Sequence, residues 1–408
     1  MLVSRVVGDC PGCGAIKKFG NVLVRRDHVL RGCSRCNFSV HIPLPPLRKK
    51  ILYLDQCFFS HAFRGKEHRF VEAAERLREV SALQLIVAPF SSVHEDETNQ
   101  WRGHEADLMK FIKQISFGHE FEPDFDVEEA QLCRAFEAFL SSGPTEFKLH
   151  EDDAVEEAVH DWDEYVFIDI AGYRGDAERI RIAKQGSVEA MVDAFEHLRT
   201  VTRTFDQQVV LEMEEQARQY LRAFIEHSVR LGNGNFEALF DSPLISRYVQ
   251  RLLEYLPQYR IEDGLTKLGH FFRSEYYNQI PYLWLGARIY ACLHDEVRGG
   301  AYTNREKAIE KLRGFYGDMK HAATYAPYCD AIFMEKKMTA YLSSPRINLE
   351  ARYGVELFSA DTLEDFIIWL DRLIDGMTDK HREGLSVIFP EIKHKDARAF
   401  SHALLGKV

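Results

Sequence analysis

Ile51-Leu-Tyr-Leu-Asp55 is a run of four apolar residues closed by an acid, and the fold turns on how it is read. A short apolar run without polar alternation is the pattern of a strand buried on both faces, as in parallel sheets covered by helices. Residues 65–81 follow with Phe70, Ala73, Ala74, Leu77 and Val80 at helical spacing, and residues 83–90 form a second apolar run stopped by Pro89 and Ser91-Ser92. Helices are predicted over 96–115 and 128–140, and a third strand over 165–170. Cys329-Asp-Ala-Ile-Phe-Met334 and Gly354-Val-Glu-Leu-Phe358 resume the strand pattern. Thr362, followed by Asp365, opens a last helix with Phe366, Ile367, Trp369 and Leu370 on one face. Strands that alternate with helices predict an α/β fold, a parallel sheet sandwiched by helices.

Two stretches interrupt this alternation. Residues 117–164, rich in Asp and Glu, read as a solvated surface excursion. Residues 187–300 are helical in period almost throughout, with helices predicted over 188–224, 245–255, 265–277 and 282–293. They read as a large helical insertion and as a surface for a protein partner or a second copy of the chain. The predicted organisation is 1–46, a small metal-binding module; 51–186, the first part of the α/β domain; 187–300, the insertion; and 301–408, the second part.

The N-terminal module carries the sharpest motif. Cys10-Pro-Gly-Cys13 and Cys33-Ser-Arg-Cys36 are two Cys-x-x-Cys knuckles nineteen residues apart. A tight turn puts both sulfurs of a knuckle on one side, and two knuckles complete the tetrahedral four-thiolate shell that Zn2+ prefers. Disulfides or an iron–sulfur cluster are the competing readings. Such a closed shell makes the zinc structural. Gly12 and Gly14 supply backbone freedom to the first knuckle. Asn21-Val-Leu-Val-Arg25 and His28-Val-Leu30 read as paired short strands, and His41 as a surface histidine. Pro43-Leu-Pro-Pro46 and Arg48-Lys-Lys50 link the module to the rest.

Composition sets limits on function. Of 408 residues 46% are hydrophobic and 28% charged, and no apolar run is long enough to cross a bilayer. Met-Leu-Val-Ser-Arg at the start lacks the apolar stretch of a signal peptide, which predicts a cytoplasmic protein without a membrane partner. Cys57, Cys133, Cys292 and Cys329 then stay reduced. The net charge is −11, unevenly spread. Residues 1–50 hold ten Lys or Arg against two acids, a charge of +8, which leaves −19 for the remainder. A basic module on an acidic body suggests contact with a polyanion.

Carboxylates stand at the ends of predicted strands and in the helices beside them: Asp55; Glu97, three residues after His94; Asp318; and Asp330 and Glu335, which flank the strand at 331–334. Acids at the carboxyl ends of separate parallel strands can converge in one crevice. Glu95 and Asp96 are alternatives to Glu97. On these residues the chain resembles the PIN-like nucleases, metal-dependent enzymes of the 5′-nuclease-related superfamily. The likeness covers about residues 51–117 and 304–376. It implies a first acid at Asp55, a second at Glu97, a third at Asp318 and a last one at Glu335, with Asp330 competing for that place. The last acid is Glu where Asp is usual, and the long helical stretch is unlike the small members.

The resemblance implies a Mg2+ or Mn2+ site and hydrolysis of phosphodiesters, with Asp55 and Asp318 as principal ligands and Glu97 and Glu335 completing the shell. His94 is a candidate for positioning a phosphate or a water, and Lys320, Lys336 and Lys337 for contacts to the substrate backbone. The implied substrate is RNA in preference to DNA, in a toxin or anti-phage effector, with the zinc ribbon aiding nucleic-acid binding. The alternative is a non-catalytic binding scaffold on a decayed nuclease core. A haloacid-dehalogenase phosphatase is disfavoured, since no Asp follows Asp55 by two. Asp161-Trp-Asp163 precedes its predicted strand, which argues against a Toprim site.

Overall fold

A computed structural model of the chain describes residues 1–101, 103–164, 177–239, 244–256, 260–392 and 396–405. The strand expected over 165–170 lies outside these residues. The fold is mixed α/β, with a small antiparallel sheet near the N-terminus and a parallel sheet beyond it.

The small sheet is an antiparallel meander of β1 (Arg5–Gly8), β2 (Phe19–Val24), β3 (His28–Cys33) and β4 (Ser39–Pro43). The expected pair at 21–30 is the β2–β3 hairpin, with Val24 opposite Val29. Its own core is only Cys10, Phe19 and Cys33, with Ala15 and Cys36 packed against them, too little apolar area to hold a fold unaided.

The parallel sheet holds β5 (Lys50–Leu54), β6 (Ile86–Val87), β7 (Ala331–Phe333) and β8 (Glu356–Phe358), in the order β6-β5-β7-β8. Successive side chains of a strand point to opposite faces. Ile51 and Tyr53 enter one apolar core together with Val87, Ile332 and Met334; Leu52 and Leu54 enter the other with Ile86, Ala88, Ala331 and Phe333. Residues 51–54 are each 0–1% exposed, and this burial on both faces is why β5 lacks polar alternation.

The first core gathers the helices Asp124–Ser141, Phe205–Gly232, Leu244–Glu254, Ile261–Phe271, Pro281–Arg298 and Phe315–Tyr325. The residues read as an insertion thus share a continuous core with one face of the sheet. The second core gathers Gln56–Arg64, His68–Ala82, Glu105–Ser116, Leu363–Asp375, Asp379–Ile388 and Ala397–Leu405.

Several boundaries differ from the sequence reading. The helix expected over 96–115 is two helices, Ser92–Thr98 and Glu105–Ser116, parted by a turn in which Gly103 takes φ +83°. The helix expected over 188–224 is also divided, because Thr204 and Gln207 form a capping box that starts Phe205–Gly232 afresh. Residues 117–164 are not a solvated excursion: Phe121, Val127, Phe136, Val155 and Trp162 are buried, while carboxylates such as Asp153 find partners, here Arg134. Counting charge hid the apolar stripe that faces the core.

The small sheet docks where the chain leaves it. Asn21 is fully buried and donates to Glu164 and to the Ile388 carbonyl, and Trp162 donates from its indole nitrogen to Pro45. A Cβ at Gly384 would lie 2.5 Å from the Trp162 ring, so Gly384→Ala is expected to destabilise the fold by about 1–3 kcal/mol. Gly269→Ala, inside Ile261–Phe271 with nothing within 4 Å of the new methyl, should stabilise by about 0.5–1 kcal/mol. Paired thermal melts of the two variants check both signs.

Candidate functional site

Two groups of ligand-bearing side chains are candidates for metals. In the small sheet, the sulfurs of Cys10, Cys13, Cys33 and Cys36 all lie within 4.8 Å of one another. The Sγ–Sγ separations are 3.6 Å for Cys10–Cys36 and 3.8 Å for Cys13–Cys33. A tetrahedron with Zn–S bonds of about 2.3 Å puts its sulfurs about 3.8 Å apart, so the donor set fits zinc. The four are free thiols, and these separations are far beyond a disulfide bond of about 2.05 Å. Gly14 takes φ +69° at the end of the first knuckle, and a Cβ on Gly12 would strike the Phe38 side chain, 2.8 Å from its Cβ.

The second group sits at the carboxyl ends of the parallel strands. Going from β5, the chain runs to β6 on one side of it and later returns to β7 on the other. Such a reversal opens a crevice beyond the carboxyl ends, where open α/β sheets bind ligands. Leu54 pairs with Phe333, and the Asp55 amide donates to the Phe333 carbonyl at 2.9 Å, so Asp55 and Glu335 emerge side by side at that point. Asp55 caps Gln56–Arg64, accepting weakly from the Cys57 amide at 3.4 Å, while Glu335 starts the helix Lys336–Ser343. Asp318 comes from the first turn of Phe315–Tyr325, and Glu97 from Ser92–Thr98. Asp55 is buried, Asp318 and Glu97 are half-buried, and Glu335 is exposed, so the group runs from the cleft floor to solvent.

The electrostatics show these acids to be neighbours. Burial, then Glu97, pushes the Asp55 carboxyl up to about 7, with Glu335 adding to the effect and the Cys57 contact opposing it. Asp318 is pushed well above the carboxylate range by burial and then by Asp55, Glu335 and Glu97, against the pull of Lys184. Glu335 is raised by burial and by Glu97. Lys184 is the near cation, with Nζ 3.1 Å from Glu97. Four carboxylates beside one lysine hold more negative charge than burial tolerates, and protons or a divalent cation relieve it. Hard oxygen donors suit Mg2+ or Mn2+. Among the described residues, however, only the four cysteines bring their ligand atoms within 4.8 Å of one another, so the acids would have to draw inward to share one ion.

Other expected participants are engaged elsewhere. Asp330 sits at the amino end of β7, where it accepts from the Ile51 amide at 2.8 Å and from Lys50 Nζ at 2.6 Å; it fastens the far end of the sheet. His94 is buried: its Nδ1 accepts from the Ser91 amide at 2.9 Å, and its Nε2 then donates to the Leu54 carbonyl at 2.8 Å. Burial holds His94 down to about 4, so it is a neutral fastener beneath Asp55 and has no nitrogen free for a phosphate. Lys320 pairs with Asp124, Lys336 with Asp361, and Lys337 with Glu296 at 3.0 Å. Of the alternatives to Glu97, Glu95 acts on Glu120 instead.

The sequence reading missed three neighbours. Tyr53, which feels Asp55, Glu97 and Asp318, donates or accepts at His321 Nδ1, 2.7 Å away. His321 is one turn beyond Asp318, a spacing that was visible. Lys184 had no signal, since only the tertiary fold brings its helix, Ala177–Asp193, to Glu97.

The basic module lies away from the acids. Its linker enters β5 at Lys50, the amino end, and its docking partners Trp162, Glu164 and Ile388 adjoin that end. Half of its ten cations serve the fold: Arg5 pairs with Glu391, Arg31 donates to the Val387 carbonyl, Arg48 to Glu151 and Lys50 to Asp330, while Lys49 is buried. Lys17, Lys18, Arg25, Arg26 and Arg35 are exposed. Among the described residues no helix is long and apolar enough to cross a membrane. Comparison with family models, with curated proteins and with solved structures gives no match.

Two measurements follow from this geometry. The purified protein should carry one zinc ion, and Cys33→Ser should lose it and expose the docked face of the small sheet to proteolysis. At the acids, the folded Asp55 carboxyl titrates near 7 and the unfolded one near 3.8, so between these values only the folded chain keeps the proton. Stability from this group is therefore full below about pH 4 and lost as pH rises through 7, a difference of a few kcal/mol at about 1.4 kcal/mol per pH unit. Relative to Asp55→Asn, wild-type Tm should fall between pH 5 and 8, and Mn2+ should restore it at pH 7.5. A pH-independent difference, untouched by Mn2+, would contradict this.

Proposed function

We propose that the protein is a metal-dependent nuclease with a PIN-like core, acting on RNA in preference to DNA. One observation carries the reading: Asp55 and Glu335 leave adjacent parallel strands at the point where strand order reverses, and Asp318 and Glu97 approach them closely enough to raise carboxyl pKa values. Asp55 and Asp318 are the proposed principal ligands of Mg2+ or Mn2+, with Glu97 and Glu335 closing the shell. A bound divalent ion would supply an activated water and offset charge building on the scissile phosphate. Tyr53, His94 and His321 support Asp55 and Asp318 from below, and Lys184 restrains Glu97. In this reading the protein works in the cytoplasm as a toxin or anti-phage effector, and the ribbon's exposed cations give a distant hold on the polyanion.

A second reading has its own support. The acids are not closed to metal spacing, and Lys184 already neutralises Glu97, as suits a scaffold on a decayed core. Incubation with labelled RNA and DNA in Mn2+ separates the two. Asp55→Asn and Asp318→Asn should each slow cleavage by about a hundredfold or more, since even outer partners of a metal site are worth about 10–100-fold. Equal cleavage by wild type and both variants, or cleavage by none, would remove the nuclease reading.

A further inference from the structure

A groove of about 830 Å3 opens beside the acids, within the range of about 300–1,000 Å3 typical of ligand sites. Its inner end is marked by Gln56, next to Asp55, by Glu97 itself, and by Gly314, whose added Cβ would lie 3.5 Å from the Asp318 carboxylate. From there Gln56, Ser60 and Arg64 line it at four-residue intervals, one face of the helix Gln56–Arg64. Trp101 continues this side, half-buried, with the Arg64 guanidinium 4.5 Å from its ring centroid. Opposite them are Lys184 and Val188 of Ala177–Asp193 and Arg313.

We propose that this groove is the lane for the substrate strand and that it selects single-stranded nucleic acid by stacking an unpaired base on the Trp101–Arg64 pair. The inference rests on the nuclease reading for the direction in which the strand runs, but its chemistry stands on the groove itself. Cations line it on both hands, in a chain whose charge outside the first fifty residues is −19. Arg64 and Arg313 have no carboxylate partner among the described residues, so their charge is available to phosphates, whereas Lys320, Lys336 and Lys337 are all paired. An indole with a guanidinium over it is a flat surface of the kind on which every base can stack, and a paired base in a duplex cannot reach it. From Gln56 to Arg64 the helix rises about 12 Å, so the stacked base lies only a few nucleotides at most from the acids.

Binding is read by fluorescence anisotropy with labelled twelve-residue oligo(U), oligo(dT) and a duplex of the same length, in an Asp55→Asn background that spares the probe. Both single strands should bind more tightly than the duplex, and the ratio of oligo(U) to oligo(dT) tells RNA from DNA. Trp101→Ala should weaken single-strand binding about tenfold and leave duplex binding unchanged, while Trp101→Phe keeps most of the affinity. Arg64→Gln and Arg313→Gln should each reduce the salt slope by about 0.7, and they carry the test if Trp101→Ala does not fold. Unchanged affinity and slope across these variants, or equal binding of duplex and single strand, overturns the proposal. If binding behaves as expected but the wild type cuts nothing, the nuclease reading fails and the groove stands. If the wild type cuts and Trp101→Ala, Arg64→Gln and Arg313→Gln bind and cut unchanged, the groove fails and the nuclease reading stands.

Discussion

Strand β5 is hydrogen-bonded on both edges and buried on both faces, and the other elements take their places from it. Its amino end receives the chain from the small sheet and is tied by Asp330 to Lys50 and to the Ile51 amide. Its carboxyl end is held by the Asp55 amide on Phe333 and by His94 on the Leu54 carbonyl. With both ends pinned, the crevice beyond Leu54 has little freedom to shift, as a charged site needs if its carboxylates are to stay close in spite of their repulsion.

The two ends of that strand divide the labour of the molecule. At the amino end, charge is matched to charge: Lys50 with Asp330, Arg48 with Glu151, Arg5 with Glu391. At the carboxyl end, among the described residues, four carboxylates face the single Lys184, and burial raises the carboxyl pKa values of Asp55 and Asp318. Such crowded charge lowers the stability of the fold as pH rises through neutrality. The small sheet has the reverse economy: a core of a few residues, and a thiolate shell in which metal binding would supply the folding energy.

Residues 188–300 show how little of the packing is local. Their helices share the core that holds Ile51 and Tyr53, packing on Asp124–Ser141 and Phe315–Tyr325, and the Ala177–Asp193 helix brings Lys184 to Glu97 and forms one side of the groove. Read along the chain they are a long interruption between two parts of an α/β domain. In space they extend the core on one face of its sheet, whose strands, apolar on both faces, need cover on both.

Local pattern determined much here. The spacing of Cys10, Cys13, Cys33 and Cys36 is itself the chemistry of a metal shell, and the four sulfurs meet as that spacing requires. The apolar runs at 51–54 and 331–334 are buried strands, because burial on both faces leaves no other composition. Phe366, Ile367, Trp369 and Leu370 share a buried helix face for the same kind of reason. Asp55 and Glu335 could be placed at strand ends, since a strand's end is a local property. Which strand lies beside which is not local, and that alone separates Glu335 from Asp330: the two acids flank one short strand, and parallel pairing sends one to the cleft and the other to the far edge. Nor could spacing tell that His94 faces inward, that the cations of residues 1–50 are half consumed in docking, or that Lys184 meets Glu97 across 87 positions of chain. Those depend on long-range packing, whose partners are chosen by the shape of both cores at once.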